Sequence, residues 1–205
     1  MSTYCPTQSE VERLREEIAT TYDRVARQPD DRFHFNIGLD YACELLRYRR
    51  DELESLPAMA PARFAGLGNP HRIGDIAPGE TVLDVGSGGG MDLLLAARRV
   101  GPRGRAIGVD PTPAMRERAL EAAALDGVAD RVEVRDGTAE SLPVGDGEVD
   151  VVISNGVLNL SHDKRRAFEE IRRVLRPGGR LYLADVVLQE ALRLESQSDI
   201  ELWAG

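Results

Sequence analysis

The amino-acid sequence predicts a doubly wound, mainly parallel α/β sheet preceded by a helical N-terminal segment. After Gly79, short apolar runs alternate with helical segments at a spacing typical of parallel strands joined by crossover helices. The apolar runs are continuous in Val, Ile and Leu, which indicates strands buried on both faces. A run of glycines directly follows the first of these strands and leads into a helix.

The predicted sheet domain comprises residues 79–205. Its strands are expected at Thr81–Val85, Ala106–Val109, Val132–Val134, Val149–Ile153 and Leu181–Leu188. Its helices are expected at Met91–Val100, from Thr112 to about Leu125, and from His162 to Leu175. Gln189–Gly205 is interpreted as a short helical tail.

The N-terminal segment, residues 1–78, is predicted to be a helical lid or extension. An amphipathic helix has the apolar stripe Val11, Leu14, Ile18, Tyr22 and Val25, with Ser9 and Glu12 as its capping box. Two shorter helices are expected, from about Leu39 to Leu46 and from about Arg49 to Phe64, the second broken by Pro57 and Pro61. Tyr22 and Tyr41 are candidates to line the lid, although aromatic residues on such a stripe are more often core.

The composition disfavours nucleic-acid-binding, membrane and disulfide-rich proteins. The chain has 205 residues and a formal net charge of −9, which disfavours a broad nucleic-acid surface and favours a small-molecule partner. No apolar run approaches the roughly 20 residues that span a bilayer, and the N-terminus lacks the apolar stretch of a signal peptide, so a cytoplasmic protein without membrane contact is expected. Cys5 and Cys43 are too few for a disulfide framework or a multi-cysteine metal site, and no metal is predicted.

The most informative residues lie between the first strand and the next helix. Asp84 is followed by a glycine loop with glycines at 86, 88, 89 and 90, which allows a tight turn and close approach of a ligand to the backbone. Asp110 ends the second strand, where a carboxylate can accept hydrogen bonds from ribose hydroxyls. A dinucleotide fingerprint needs a further glycine at the position of Met91, which disfavours a nicotinamide cofactor.

The pattern Asp84-x-Gly86-x-Gly88-x-Gly90 resembles the first motif of class I S-adenosylmethionine-dependent methyltransferases, which have a Rossmann-like sheet. Gly137–Pro143 resembles the segment of that family that edges the adenine, with Thr138 in place of the usual aspartate. Asp136, two residues earlier, either compensates for that change or simply ends the third strand.

Two further segments extend this resemblance. Asp150–Asn155 resembles the strand that ends beside the transferable methyl, and Leu175–Leu181 resembles the turn into the fifth strand. The resemblance implies S-adenosylmethionine as cofactor. The residues implied to bind it are Asp84, Gly86, Ser87, Gly88, Gly90, Asp110, Pro111, Thr138, Ala139, Glu140 and Asn155.

A narrower likeness concerns the methyl acceptor. Val152–Lys164 and Ala106–Met115 are similar to the corresponding segments of arsenite methyltransferases. Position 156, where that group has a metalloid-binding cysteine, is Gly156, and trivalent arsenic prefers several thiolate ligands. The sequence therefore predicts methyl transfer to a small-molecule acceptor and makes arsenite a doubtful one.

Other functions stay open from the sequence alone. A nucleotide-dependent oxidoreductase on a similar sheet is one alternative. A cofactor-binding pseudoenzyme, or a truncated arsenite-methyltransferase-like protein without turnover, is another, because the family's sixth and seventh strands are not found in the sequence. Either the sequence is a fragment, or a partner chain such as a second copy covers the open sheet edge. No catalytic residue is assigned, because methyl transfer from a sulfonium mainly requires positioning, and His34 is only a weak candidate for a base.

Overall fold

The structure is a computed structural model that describes residues 7–187 of the chain. Within this range the strands are β1 Thr81–Val85, β2 Arg105–Val109, β3 Val132–Arg135, β4 Val149–Asn155 and β5 Leu175–Ala184. They form one sheet in the order β3-β2-β1-β4-β5, and every neighbouring pair is parallel. The predicted doubly wound parallel sheet is confirmed.

The helices lie before the sheet and between its strands. Their bounds are α1 Gln8–Arg27, α2 Leu39–Glu44, α3 Arg50–Glu54, α4 Met59–Ala62, α5 Met91–Val100, α6 Pro113–Leu125 and α7 Lys164–Val174. Short 3₁₀ turns occupy Pro70–Arg72, Gly101–Arg103 and Leu158–Leu160.

The two faces of the sheet are covered by different helices. On one face, β1 and β4 side chains such as Val82 and Ile153 pack with the buried face of α5 and with Leu53 and Phe64 of the N-terminal segment. On the other face, a second cluster joins side chains such as Leu83 to Ile171 of α7. Because both faces are covered, the central strands are continuous apolar runs.

The first helix begins two residues earlier than its sequence signal suggested. Thr7 is the N-cap and Glu10 completes the capping box, with the Thr7 hydroxyl accepting from the Glu10 N–H and the Glu10 carboxylate accepting from the Thr7 N–H. The prediction that Ser9 and Glu12 form the capping box was wrong. Ser9/Glu12 and Thr7/Glu10 have the same three-residue spacing, so spacing alone could not distinguish the two pairs. Leu14 and Val25 of the predicted stripe are buried.

Two other predicted elements differ from the structure. The helix expected from Arg49 to Phe64 is two short helices, α3 and α4; the predicted break at Pro57 lies between them, whereas Pro61 lies within α4 and does not break it. The turn expected at Leu175–Leu181 belongs to β5, since Leu175 pairs with Val149 and Arg180 with Val151, and the residues between them form an irregularity in the register. The proline and glycines at 177–179 indicated a turn, but the residues before and after them both pair with β4.

The outer edge of β5 has no partner strand within residues 7–187. Val186 and Val187 follow it and are exposed. The predicted helical tail Gln189–Gly205 and the predicted end of the fifth strand at Leu188 lie outside the described residues. No helix in the described range is long and apolar enough to cross a membrane.

Candidate functional site

A cavity of about 330 Å³ opens at the carboxyl ends of β1, β2 and β4. This is the place where the strand order reverses, because β1 has β2 on one side and β4 on the other. The glycine loop forms its floor, the loops after β2, β3 and β4 form its sides, and α1 forms its roof. Of the predicted site residues, all except Gly90 line this cavity.

The glycine loop depends on backbone that only glycine adopts easily. Gly86 has φ +71°, and a Cβ there would lie 2.3 Å from a methyl carbon of Val157. Gly88 has φ +51°, and the space where its Cβ would point is open. Gly90, predicted as a binding residue, lies outside the lining, and a Cβ there would meet Ala119 of α6 at 3.1 Å. Its absent side chain therefore lets two helices approach.

Asp84, at position four of β1, is a buried carboxylate without a hydrogen-bond donor among residues 7–187. Its Oδ2 is sealed from solvent and unpartnered. Burial, together with the negative charges of Asp92 and Asp110, raises the pKa of Asp84 well above its usual value. A cationic group entering the cavity would relieve this unfavourable charge.

Asp110 shapes the loop as well as facing the cavity. The Gly88 N–H donates to its Oδ2 at 2.9 Å, and the Thr112 N–H donates to its Oδ1 at 2.8 Å. Burial raises the pKa of Asp110, although these backbone donors oppose the shift. Each carboxylate oxygen retains a lone pair that can accept from a ligand hydroxyl.

The far end of the cavity is formed by the loops after β3 and β4. Thr138, Ala139 and Glu140 line it, and Pro111, in the loop after β2, lines the cavity as well. Glu140 accepts from the Ser161 hydroxyl at 2.7 Å and lies 2.9 Å from Nδ1 of His162, and these contacts outweigh burial and lower its pKa. Asp136 lies outside the lining, pairs with Arg116 at 2.7 Å and is 74% exposed, so it does not compensate for Thr138 in this structure.

Asn155, at the end of β4, joins the N-terminal segment to the sheet. Its Oδ1 accepts from the N–H groups of Leu67 and Gly68 at 2.7 and 3.0 Å. Its Nδ2 donates to Oδ2 of Asp92 at 2.9 Å and to the Gly68 carbonyl at 2.9 Å. The amide group is therefore already committed to protein partners, although the side chain lines the cavity.

Sequence reasoning missed the buried polar cluster behind Asn155. Asp92, on the first turn of α5, accepts from the Tyr48 hydroxyl at 2.7 Å and lines the cavity. The side chain of His71 is buried, with its Nε2 3.2 Å from Oδ1 of Asp92. Asp92 gave a signal, an acid two residues after Gly90, whereas His71 lies in a glycine- and proline-rich stretch without periodicity.

The roof combines apolar side chains and two arginines. Leu14, Ile18 and Tyr22 of α1 face the cavity, as does Arg15. Arg63 also lines it, and its guanidinium donates to the carbonyls of Ala26 and Met59 at 2.7 and 2.9 Å. This arrangement fixes the C-terminal end of α1 to α4.

Two residues considered in the sequence lie away from the cavity. His34 packs edge-on against Phe35 at 4.9 Å, outside the lining. Cys43 also lies outside the lining, and burial raises the pKa of its thiol. Within residues 7–187 there is no group of three or more His, Cys, Asp or Glu side chains that could hold a metal ion.

Comparison with known proteins places the chain among methyltransferases. A family model described as "Methyltransferase domain" matches residues 76–204. Arsenite methyltransferase of Halobacterium salinarum is 50% identical over 162 residues, which is 79% of this chain and 41% of that protein. The chain therefore spans less than half the length of this curated relative.

Solved structures agree with the fold. CrArsM, an arsenic(III) S-adenosylmethionine methyltransferase from Chlamydomonas reinhardtii, has a TM-score of 0.67 at 37% identity, covering 73% of this chain and 52% of that one. A SAM-dependent methyltransferase from Aquifex aeolicus has a TM-score of 0.54 at 23% identity, covering 78% of this chain and 80% of that one, a likeness of fold alone.

Proposed function

Because the chain belongs to the methyltransferase-domain family, we propose that it transfers the methyl group of S-adenosylmethionine to a small-molecule acceptor. The predicted membership of the class I S-adenosylmethionine-dependent methyltransferases is confirmed by the family match and the similar proteins. We propose in addition that this 205-residue chain performs the methyl transfer itself.

The observation that carries the proposal is the pairing of two carboxylates with a side-chain-free loop. Asp84 and Asp110 flank the backbone of Gly86–Gly89 in one cavity. S-adenosylmethionine has a cationic amino-acid half and a ribose with two hydroxyls. Asp84, buried without a partner, suits the cationic half, and Asp110 suits the ribose. The residues present thus fit this cofactor.

Bound S-adenosylmethionine supplies a methyl group on a sulfonium, a good leaving group. The protein's part is to bind, orient and exclude water. The apolar roof of Leu14 and Ile18 covers the cavity, and Asn155 holds the segment around Gly68 against β4. Met91, at the position where a dinucleotide fingerprint needs glycine, is buried in the core, which argues against the oxidoreductase alternative.

Calorimetry separates the cofactor classes. We expect S-adenosylmethionine and S-adenosylhomocysteine to bind with one site per chain, and NAD not to bind. Binding of NAD alone would overturn the proposed function. Methyl transfer to a panel of small thiols, amines and hydroxyl compounds then distinguishes an enzyme from a cofactor-binding pseudoenzyme, which would bind the cofactor without turnover.

We infer that residues 1–78 act as a lid over the same cavity. The support is the position of α1 as its roof and of Ala60 and Arg63 in its wall. The core of this segment is shared with α5, since Leu53 and Phe64 pack in the same cluster as Leu94. The segment is therefore proposed to be part of the catalytic unit.

The remaining partner proposals rest on charge and on the open edge of the sheet. The net charge of −9 supports a small-molecule acceptor and argues against a nucleic-acid partner. The protein is proposed to act in the cytoplasm. The unpaired edge of β5 within the described range supports a homodimer that covers it. Sedimentation analysis tests this, and a monomer at all concentrations would refute it.

A further inference from the structure

The hydroxyl of Tyr22 is a polar group facing the cavity without a partner. Tyr22 lies on the roof helix α1, and its partly buried side chain lines the cavity. Its hydroxyl makes no hydrogen bond with any residue in the range 7–187. With no protein partner in this range, the hydroxyl is available to hydrogen-bond a ligand group in the cavity.

The charged neighbour of this hydroxyl is Asp110. Burial and the negative charge of Asp110 raise the pKa of Tyr22 to about 12, so the phenol keeps its proton at neutral pH. Asp110 begins the loop after β2 and lies in the side of the cavity, and Tyr22 lies in its roof. The two side chains therefore line one cavity, Asp110 from the sheet and Tyr22 from α1.

We propose that Tyr22 hydrogen-bonds the ribose of the bound cofactor from the roof, together with Asp110. The proposal rests on the proposed function, since it takes the cofactor to lie between Gly86 and Asp110.

The two groups are chemically complementary toward a diol. An ionised Asp110 only accepts, so it takes hydroxyl protons from the ribose. The Tyr22 phenol donates, so it satisfies a lone pair of a ribose hydroxyl oxygen. The pair would hold the ribose by both its donor and its acceptor functions, which Asp110 alone cannot do.

The contact also links the cofactor to the segment after α1. The Tyr22 ring stacks on Phe35 with centroids 6.1 Å apart, and Phe35 stacks on Phe33 at 5.5 Å. These rings pack with Met115 of α6 in one small cluster. Fixing the Tyr22 hydroxyl on a ligand therefore restrains the loop that contains both phenylalanines.

Two ligands and two variants test the proposal by calorimetry. The ligands are S-adenosylhomocysteine and 5′-methylthioadenosine, which keeps the ribose but lacks the amino-acid half. Tyr22→Phe removes only the hydroxyl, and we expect about 3- to 10-fold weaker binding of both ligands. The matched control is Tyr182→Phe, since the Tyr182 hydroxyl donates to the Asp75 carbonyl at 2.9 Å, outside the cavity lining. The control should bind both ligands as the unmodified protein does.

The outcomes are distinguishable. Equal affinity of Tyr22→Phe and the unmodified chain for both ligands would overturn the proposal while leaving the proposed function standing. Weaker binding of S-adenosylhomocysteine alone would assign the hydroxyl to the amino-acid half and would also refute the ribose contact. Failure of the unmodified chain to bind either ligand would overturn the proposed function itself. Thermal unfolding without ligand, expected to be the same for Tyr22→Phe and the unmodified chain, excludes a folding defect.

Discussion

Replacing Asp84 with Asn should stabilise the protein while impairing its site. Asp84 is buried, and no donor among residues 7–187 offers its carboxylate a hydrogen bond, so the substitution breaks no observed contact there. Its pKa is raised by burial and by the charges of Asp92 and Asp110. Asn has nearly the same shape and carries no charge at any pH.

The sign of the effect follows from proton binding. An aspartate in the unfolded chain ionises near pH 3.9, as an approximate reference value, whereas Asp84 in the folded protein ionises at a higher pH. Between these two values the folded state binds more protons, so the free energy of unfolding falls as the pH rises. Below about pH 3.9 the aspartate is protonated in both states and the penalty disappears.

The magnitude follows from the same linkage. Each pKa unit of elevation removes about 1.4 kcal/mol once the pH exceeds the folded value. For a chain of this size, that corresponds to roughly 3–6 °C in Tm per unit. Asp84→Asn should therefore unfold at a higher temperature than the unmodified chain at pH 8, and the gap should shrink toward pH 4.5.

Thermal unfolding at a series of pH values provides the assay. Asp136→Asn is the matched control, because that aspartate is 74% exposed and its ion pair with Arg116 contributes little. Its profile should parallel that of the unmodified chain. If Asp84→Asn also gives a parallel profile, or is less stable at pH 8, the argument that Asp84 is an uncompensated buried charge is wrong.

Three further outcomes are expected. Asp110→Ala should weaken S-adenosylhomocysteine binding about 10- to 150-fold in calorimetry, the scale of hydrogen bonds to a charged group, and an unchanged Kd would remove Asp110 from the site. S-adenosylhomocysteine should slow proteolysis between residues 28 and 38, and equal cleavage rates with and without it would count against a lid. Cofactor consumption should show no arsenite-dependent turnover, with or without Gly156→Cys, whereas turnover that disappears in Cys43→Ser would make that thiol a ligand.

The expected lack of arsenite-dependent turnover follows from the positions of the cysteine thiols and of Gly156. Gly156 lines the cavity, and a Cβ at that position would lie 3.0 Å from Cγ of Leu67, so an added thiol would meet an apolar neighbour. Cys43 lies outside the lining, and its raised pKa favours the thiol over the thiolate that arsenic needs. Cys5 lies outside the described residues.

The sheet and the glycine loop could be predicted because their signals are local. The strand β1 and the helix α5 have the predicted bounds, since a buried apolar run and a glycine turn each leave a mark in consecutive residues. Asp84 and Asp110 followed from their positions at strand ends, because carboxyl ends of adjacent parallel strands meet at one edge of the sheet.

What could not be predicted depends on contacts between distant residues. The irregular start of β5 exists because Leu175 pairs with Val149, and no local pattern shows that pairing. The amide of Asn155 is committed to Gly68 and Asp92, far away in the sequence. The stripe on α1 identified Tyr22 as an inward-facing residue but could not distinguish a core position from a cavity wall.

A crystal structure with S-adenosylhomocysteine tests the central claim most directly. We expect ligand density between the backbone of Gly86–Gly89 and the Asp110 carboxylate, with the adenine beside Thr138 and Glu140 and the amino-acid half toward Asp84. Density for the ligand anywhere else on the chain, or crystals that remain free of it at saturating concentration, would contradict the account.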